Sequence, residues 1–279
     1  MGVMVFGHRG ACGYLPENTM PSLELGFELG SDAIEFDVVM TKDGVPVILH
    51  DRDLTHTTTI EDFPQWPTEV EKLTLSQVKE LRVKERYPEG RRESDAHSGK
   101  YEIPTLSEVL NNPVFDGKHL IIEFKYGAYF QSLGLDSIAA VKKELLESNW
   151  QQRGMNITIE CFEFGFLREA KKAIGPGISY VFLSAPDMLP PGHDHIDDEL
   201  LEEISNEFDG LSVAIPMILE GDLVSRAKAS GLIFFAYTAR VETAQGSVDE
   251  WFKKLATTGV DGLFADQPDV LIKTVAALA

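Results

Sequence analysis

The sequence predicts an α/β chain, a distorted (β/α)8 barrel of the TIM type with a β-hairpin and an insertion after the second strand. Three observations predict it. Eight short apolar, strand-like runs alternate with eight helix-like runs over 279 residues, a length at which α/β barrels close as one domain. Most of those runs are continuous rather than alternating, as parallel strands covered on both faces require. No Gly-rich phosphate loop follows a strand, which counts against a doubly wound open sheet, the alternative architecture. The reading is one barrel domain, 1–279, with an excursion at about 53–103.

The strand-like runs are 3–8, 33–38, 119–125, 156–162, 178–183, 211–214, 232–238 and 261–265. Helical patterns fall at 21–29, 106–110, 136–148, 166–173, 197–208, 221–229, 248–257 and 268–278. Asn18-Thr19 ahead of Pro21 offers a cap and a first-turn proline, and Gly30, Gly175, Gly231 and Gly259 stand where helices should stop. One stretch breaks the alternation. Residues 34–51 hold two strand-like runs separated by Thr41-Lys42-Asp43-Gly44, too short for a crossover helix and suited to a hairpin with a two-residue Asp-Gly turn. The excursion that follows is rich in Pro, Glu and Arg, and its polar 87–100 part is expected to be a mobile surface loop.

Charge excludes several functions. Forty-five acidic against 25 basic residues leave a net charge of -20, so the chain repels polyphosphate and anionic membranes; neither nucleic acid binding nor stable membrane association is expected. No apolar run approaches the roughly 20 residues of a membrane span. The N-terminus lacks a basic start and long apolar core, and Cys12 and Cys161 form no disulfide framework or zinc spacing. A reducing, cytoplasmic setting is the expectation, the alternative being a secretion leader already removed.

The chemistry enters at strand ends. With Asp43-Gly44 as a two-residue turn, counting outward places Asp37 opposite His50, and Glu35 shares the Asp37 face. Ala33, Ile34, Phe36 and Val38 mark a buried strand, where unpaired carboxylates are costly. The carboxyl end of a barrel strand is where barrel active sites lie. His8-Arg9 ends the first strand, Glu123-Phe124-Lys125 the third, Glu160-Cys161-Phe162 the fourth and Tyr237-Thr238 the seventh. A lone His, an internal Glu–Lys pair or a packed aromatic would each be unremarkable; their convergence on one mouth is what carries weight. Glu35, Asp37 and Glu123 together hold three negative charges, which cannot all persist in close contact without a cation. All-oxygen ligands select one hard divalent ion, Mg²⁺ or Ca²⁺. Arg9 and Lys125 then bring the site to about +1, suited to a single anionic group such as a phosphodiester, flanked by His8 and His50 to supply a general base and a general acid in either order.

The same residues carry a resemblance. Gly7-His8-Arg9-Gly10, Pro16-Glu17-Asn18-Thr19, Glu35-Phe36-Asp37-Val38, Thr41-Lys42-Asp43-Gly44, His50-Asp51, Ile103-Pro104-Thr105-Leu106 with Glu108, Glu123-Phe124-Lys125 and a closing 259–268 run resemble the ordered motifs of the glycerophosphodiester phosphodiesterases. The likeness spans about residues 5–270. It implies a distorted barrel that splits a small-molecule glycerophosphodiester into sn-glycerol 3-phosphate and an alcohol, and it allows a route through a cyclic phosphate. It implies Glu35, Asp37 and Glu123 as metal ligands, His8 and His50 as the acid–base pair, and Arg9 and Lys125 as phosphate grips. Phe162 and Tyr237 are expected at the glycerol end of the pocket. Departures from the family pattern are Cys161 in place of the usual Ser, Tyr237-Thr238-Ala239-Arg240 in place of a Trp-Thr-Val-Asn-like run, and His56 in place of an Arg; they bear on substrate preference. The competing readings are a lipid-directed relative, acting on lysophospholipids or inositol lipids, and a catalytically silent ligand-binding barrel.

Overall fold

The computed structural model describes residues 2–278. All eight expected barrel strands form: β1 (Met4–Gly7), β2 (Ala33–Met40), β4 (His119–Phe124), β5 (Asn156–Cys161), β6 (Ser179–Ser184), β7 (Gly210–Ala214), β8 (Ile233–Ala239) and β9 (Gly262–Ala265). They pair in parallel in that order, and β9 returns to β1 with Met4 opposite Gly262. The sheet is therefore closed. A short β3 (Pro46–Ile48) adds to β2 in the antiparallel sense.

Alternation along each strand separates two environments. On β2, Ile34, Phe36 and Val38 pack outward into the main core under the helices, so Glu35 and Asp37 point into the barrel. Leu120, Ile122 and Phe124 on β4, with Ile157, Ile159 and Cys161 on β5, do the same outward work. Inside, Phe6, Ile121, Val181, Phe235 and Phe264 form a separate apolar plug. The Phe6 ring meets Phe235 and Phe264 edge-on at 4.9 and 5.0 Å, a favoured aromatic geometry. The plug seals the barrel below the acidic strand ends.

Eight helices stand within two residues of their expected bounds, among them Met20–Glu28, Ser137–Ser148 and Val248–Ala256. Thr19, Asp136, Asp197 and Ser247 each accept a backbone N–H at a helix start, which supplies the missing intrahelical partners there. A helix at Gly127–Ser132 was not expected; six residues are too few to show a helical period.

Two expectations are corrected. The hairpin loop holds three residues, not two: Val38 pairs with Ile48, Val39 with Val47 and Met40 with Pro46, and the Thr41 N–H donates to the Val45 carbonyl at 3.0 Å. The Thr41 hydroxyl accepts from the Val45 N–H and donates to Asp43, while Gly44 sits at φ 76°, the left-handed conformation that three-residue hairpin loops need. One added loop residue shifts every facing pair. Asp37 therefore faces Leu49, whose N–H donates to its carbonyl at 3.1 Å, and His50 lies one step beyond the ladder.

Nor is 87–100 a loose surface loop. It contains a short helix, Arg92–Asp95, and its Arg91 is buried. The excursion as a whole builds a second small core, with Leu54, Ile60, Val70, Leu73, Leu81 and Val83 packed on Val39, Val47 and Leu49. The partners that anchor Arg91 are Glu242 and Asp266, more than 150 residues away, and local polarity carries no trace of them.

Candidate active site

The register of the sheet assembles the acids. Asp37 on β2 stands beside Glu123 on β4, and Glu123 beside Glu160 on β5, so three carboxyls occupy one inward-facing layer. Glu35 enters from the layer below. Glu35, Asp37 and Glu123 each bring a carboxylate oxygen within 4.8 Å of the others. Of the predicted site residues, His8, Arg9, Glu35, His50, Glu123, Lys125, Phe162 and Tyr237 all line one cavity of about 700 Å³ at the carboxyl end of the barrel. Asp37 has no exposed surface and lies behind them, 3.2 Å from Arg9 Nε.

The acids are held by donors but not saturated. The Arg9 backbone N–H donates to Glu35 Oε2 at 2.8 Å, Asn18 Nδ2 to Asp37 Oδ2 at 2.8 Å, and Lys125 Nζ to Glu123 Oε1 at 2.7 Å. Among the described residues Glu35 Oε1 and Asp37 Oδ1 are buried with no hydrogen-bond partner, a costly state for carboxylate oxygens. Burial and the neighbouring Asp37 charge push the Glu35 carboxyl well above the usual carboxylate range; burial does the same to Glu160 and raises Glu123 against the pull of Lys125. For Asp37 the burial effect is overcome by Arg9, His50 and Lys125, so its carboxyl is held well below that range. These orphaned, mutually repelling oxygens fit a hard divalent cation.

Backbone strain is concentrated beside them. Arg9 and Asn18 adopt φ 52° and 59°, left-handed values that cost a non-glycine residue roughly 1–2 kcal/mol each. Arg9 uses this turn to aim its N–H at Glu35 while its guanidinium meets Glu17 and Asp37. Gly10, at φ 87°, completes the turn; a Cβ there would lie 2.4 Å from the Ser22 carbonyl, so only glycine lets it close onto the Met20–Glu28 helix.

Each histidine is backed by a carboxylate. His8 Nδ1 lies 2.7 Å from Asp266 Oδ1, and His50 Nδ1 lies 2.6 Å from Asp51 Oδ1. A carboxylate partner assigns the Nδ1 proton and leaves Nε2 as the working nitrogen. Burial first, then the adjacent Arg9 charge, lowers His8 to about 4 despite Asp266. Asp266 went without a role in the sequence reading, though it stands one residue past an apolar strand end, the signal that singled out His8. Arg86 and Arg91, which reach the site from the excursion, had no such signal.

The rest of the cavity is aromatic and aliphatic. Lys125 Nζ sits 5.3 Å from the Phe162 ring centre, and Phe162 meets Tyr237 edge-on at 5.9 Å. The Tyr237 hydroxyl donates to the Ser184 carbonyl at 2.7 Å. Leu183, Met188, Ile215, Pro216 and Leu219 form the far wall.

A closed parallel barrel whose mouth combines clustered acids, two cations and two carboxylate-backed histidines is the frame of a hydrolase for phosphate esters. The Glycerophosphoryl diester phosphodiesterase family matches residues 8–270, and the chain belongs to that family. It is 30% identical over 277 residues to a glycerophosphodiester phosphodiesterase of Caldanaerobacter subterraneus subsp. tengcongensis, covering 99% of this chain and 98% of that one. It is also 30% identical to a Bacillus subtilis enzyme of the same name, over 97% of this chain and 86% of the relative. Among solved structures, an Oleispira antarctica phosphodiesterase in complex with the product sn-glycerol-3-phosphate superposes with a TM-score of 0.75 at 26% identity, covering 99% of this chain and 97% of that one. The family is generally dependent on divalent cations, and the acidic cluster described above is of a kind that holds one. Among the described residues no helix is long and apolar enough to cross a membrane.

Proposed function

We propose that the protein hydrolyses glycerophosphodiesters to sn-glycerol 3-phosphate and an alcohol, using Glu35, Asp37 and Glu123 to hold one Mg²⁺ or Ca²⁺ and His8 and His50 as the acid–base pair. The observation that carries this reading is the pair of carboxylate-backed histidines flanking an unsaturated three-carboxylate cluster. When bound, the cation supplies charge neutralisation for the phosphoryl oxygens. Arg9 and Lys125 grip the phosphate. His8, neutral through burial, takes the proton of the glycerol hydroxyl next to the phosphate, and that oxygen attacks phosphorus. His50 gives its proton to the departing alkoxide. Water then opens the cyclic phosphate with the two roles exchanged. Hydrolysis of glycerophosphocholine, with and without chelator, tests the activity itself; no turnover with either Mg²⁺ or Ca²⁺ rejects it.

Cation binding should be coupled to protons. Burial raises the Glu35 and Glu123 carboxyls above their ordinary range in the metal-free protein, and a hard cation requires both ionised. Uptake therefore releases protons, and affinity weakens as pH falls toward ordinary carboxylate values near 4.5. Calorimetry of Mg²⁺ and Ca²⁺ binding in buffers of different ionisation enthalpy measures this; binding with no proton release across pH 5–8 is the contrary result.

Tyr237 and Phe162 are assigned to the glycerol end. Tyr237→Ala should raise KM and reorder substrates by more than it destabilises the fold, while Tyr237→Phe, which loses only the bond to Ser184, should change both little. A lower melting temperature with unchanged kinetics in Tyr237→Ala would make the ring a packing residue instead.

The far apolar wall favours a second reading. Leu183, Met188, Ile215, Pro216 and Leu219 are poor partners for glycerol but good ones for an acyl chain. Comparing lysophosphatidylcholine in micelles with glycerophosphocholine separates the two; a higher kcat/KM on the lysolipid would replace the first reading with the lipid-directed one.

A further inference from the structure

The excursion touches both histidines through the same construction. Asp51 gives Oδ1 to His50 Nδ1 and Oδ2 to Arg86, 2.7 Å away. Asp266 gives Oδ1 to His8 Nδ1 and Oδ2 to Arg91. In each case one carboxylate oxygen orients a histidine and the other is fastened by an arginine of the excursion, joined at Asp266 by Arg240 Nε at 2.7 Å; Arg86 and Arg91 lie five residues apart on one inserted segment. We propose that Arg86 and Arg91 are positioning residues for catalysis, each fixing the carboxylate that aims one of the two histidines; the assignment rests on the acid–base reading of His8 and His50.

The remaining contacts explain why arginine is the residue used. Arg91 has a side chain only 4% exposed, and every nitrogen has an acceptor: Nε donates to Glu242 Oε1 at 2.6 Å, one terminal nitrogen to the Cys12 carbonyl at 3.2 Å, and the other to Asp266. Cys12, Glu242 and Asp266 follow β1, β8 and β9, so one guanidinium clamps three loops around His8. Arg86 donates Nε and a terminal nitrogen to Glu17 at 2.8 and 2.7 Å, and Glu17 Oε1 also accepts from Arg9 at 3.0 Å. It thereby ties the carboxylate of His50 to the carboxylate that holds Arg9. A planar fork with fixed donor directions can do this; a lysine has one point of attachment. Buried ion pairs are weak evidence for stability, since apolar replacements often do as well. What the forks fix is the rotation of two carboxylates whose orientation decides where each imidazole points.

The test is a pair of double-mutant cycles in kcat on glycerophosphocholine, Arg86→Met with Asp51→Asn and Arg91→Met with Asp266→Asn. Each single arginine variant should lose about 10–100-fold in kcat, the scale on which partners behind an active residue act, with little change in KM for Arg91→Met and a rise in KM for Arg86→Met, which also frees the Glu17 that holds Arg9. Each double variant should be no slower than its aspartate variant alone, because the arginine acts through that carboxylate. Arg86→Lys and Arg91→Lys retain the charge without the fork and give the same reading if a Met form fails to fold. Multiplicative losses in either cycle, or folded arginine variants that alter only KM or the melting temperature, overturn the proposal whichever histidine is the acid. A second readout separates the reading beneath it. Arg86→Met should lose less on a 4-nitrophenyl ester of glycerol 3-phosphate than on the choline ester, as His50→Ala should. If His50→Ala lacks that selectivity while the cycles stay non-additive, the acid–base assignment fails and the positioning role stands.

Discussion

Asp37→Asn is expected to cut kcat on glycerophosphocholine by about a thousandfold or more, with the fold intact, since charge stabilisation worth several kcal/mol is lost. Asp37 is the one acid of the cluster held firmly ionised, and its buried Oδ1 has no hydrogen bond among the described residues, only the Lys125 ammonium 4.0 Å away. The amide keeps the shape and can retain the bond with Asn18, so packing survives. What disappears is the charge that a divalent cation needs at the centre of the layer. Glu35→Gln should behave alike, because Glu35 Oε1 is orphaned in the same way. Excess chelator should reproduce both losses in the unaltered protein, and adding Mg²⁺ or Ca²⁺ back should reverse only that one. The measurements are steady-state kinetics, metal titration by calorimetry and a melting curve for each variant. Full activity in chelator, or in Asp37→Asn, would reject the metal-assisted reading.

Most of this site could be read without coordinates because of where barrels put their chemistry. Each strand of a closed parallel barrel must be apolar through its buried length, so a Glu, Asp or His at its carboxyl end stands out against the run before it. Glu35 and Asp37 between Ile34, Phe36 and Val38 stand out for that reason, and so does Glu123 after Ile121 and Ile122. The hairpin register did not follow, since choosing between two and three loop residues depends on the Thr41 hydroxyl bridging Asp43 and Val45. His50 reaches the mouth regardless, lining the cavity one step past the end of the ladder. The excursion was the least legible part. Arg86 and Arg91 look like solvated charges in a polar stretch, and only closure of the barrel brings Asp51, Glu17, Glu242 and Asp266 to meet them. Charges that are satisfied across the fold leave no local periodicity.

The division of labour between the histidines should appear as a difference between leaving groups. An alkoxide leaves phosphorus poorly unless it is protonated, whereas a nitrophenolate leaves unaided. Removing the general acid should therefore cost much on glycerophosphocholine and far less on a 4-nitrophenyl ester of glycerol 3-phosphate, and removing the base should cost similarly on both. His8 is placed as the base: burial and the Arg9 charge lower it to about 4, so it is neutral above pH 5 with Nε2 free to take a proton. Asp266 behind its Nδ1 then steadies the imidazolium formed during attack. His50 is more open to solvent, with a side chain 24% exposed, and its Nδ1 proton is held by Asp51, which suits a group that delivers a proton from Nε2 to a leaving alcohol at the mouth. Each alanine variant should lose on the order of 10²–10⁴ on the choline ester. His50→Ala should recover most of that on the nitrophenyl ester, and His8→Ala should not. Selective recovery of His8→Ala would exchange the two roles. Equal loss on both esters in both variants would show that protonation of the leaving group is not what either histidine supplies.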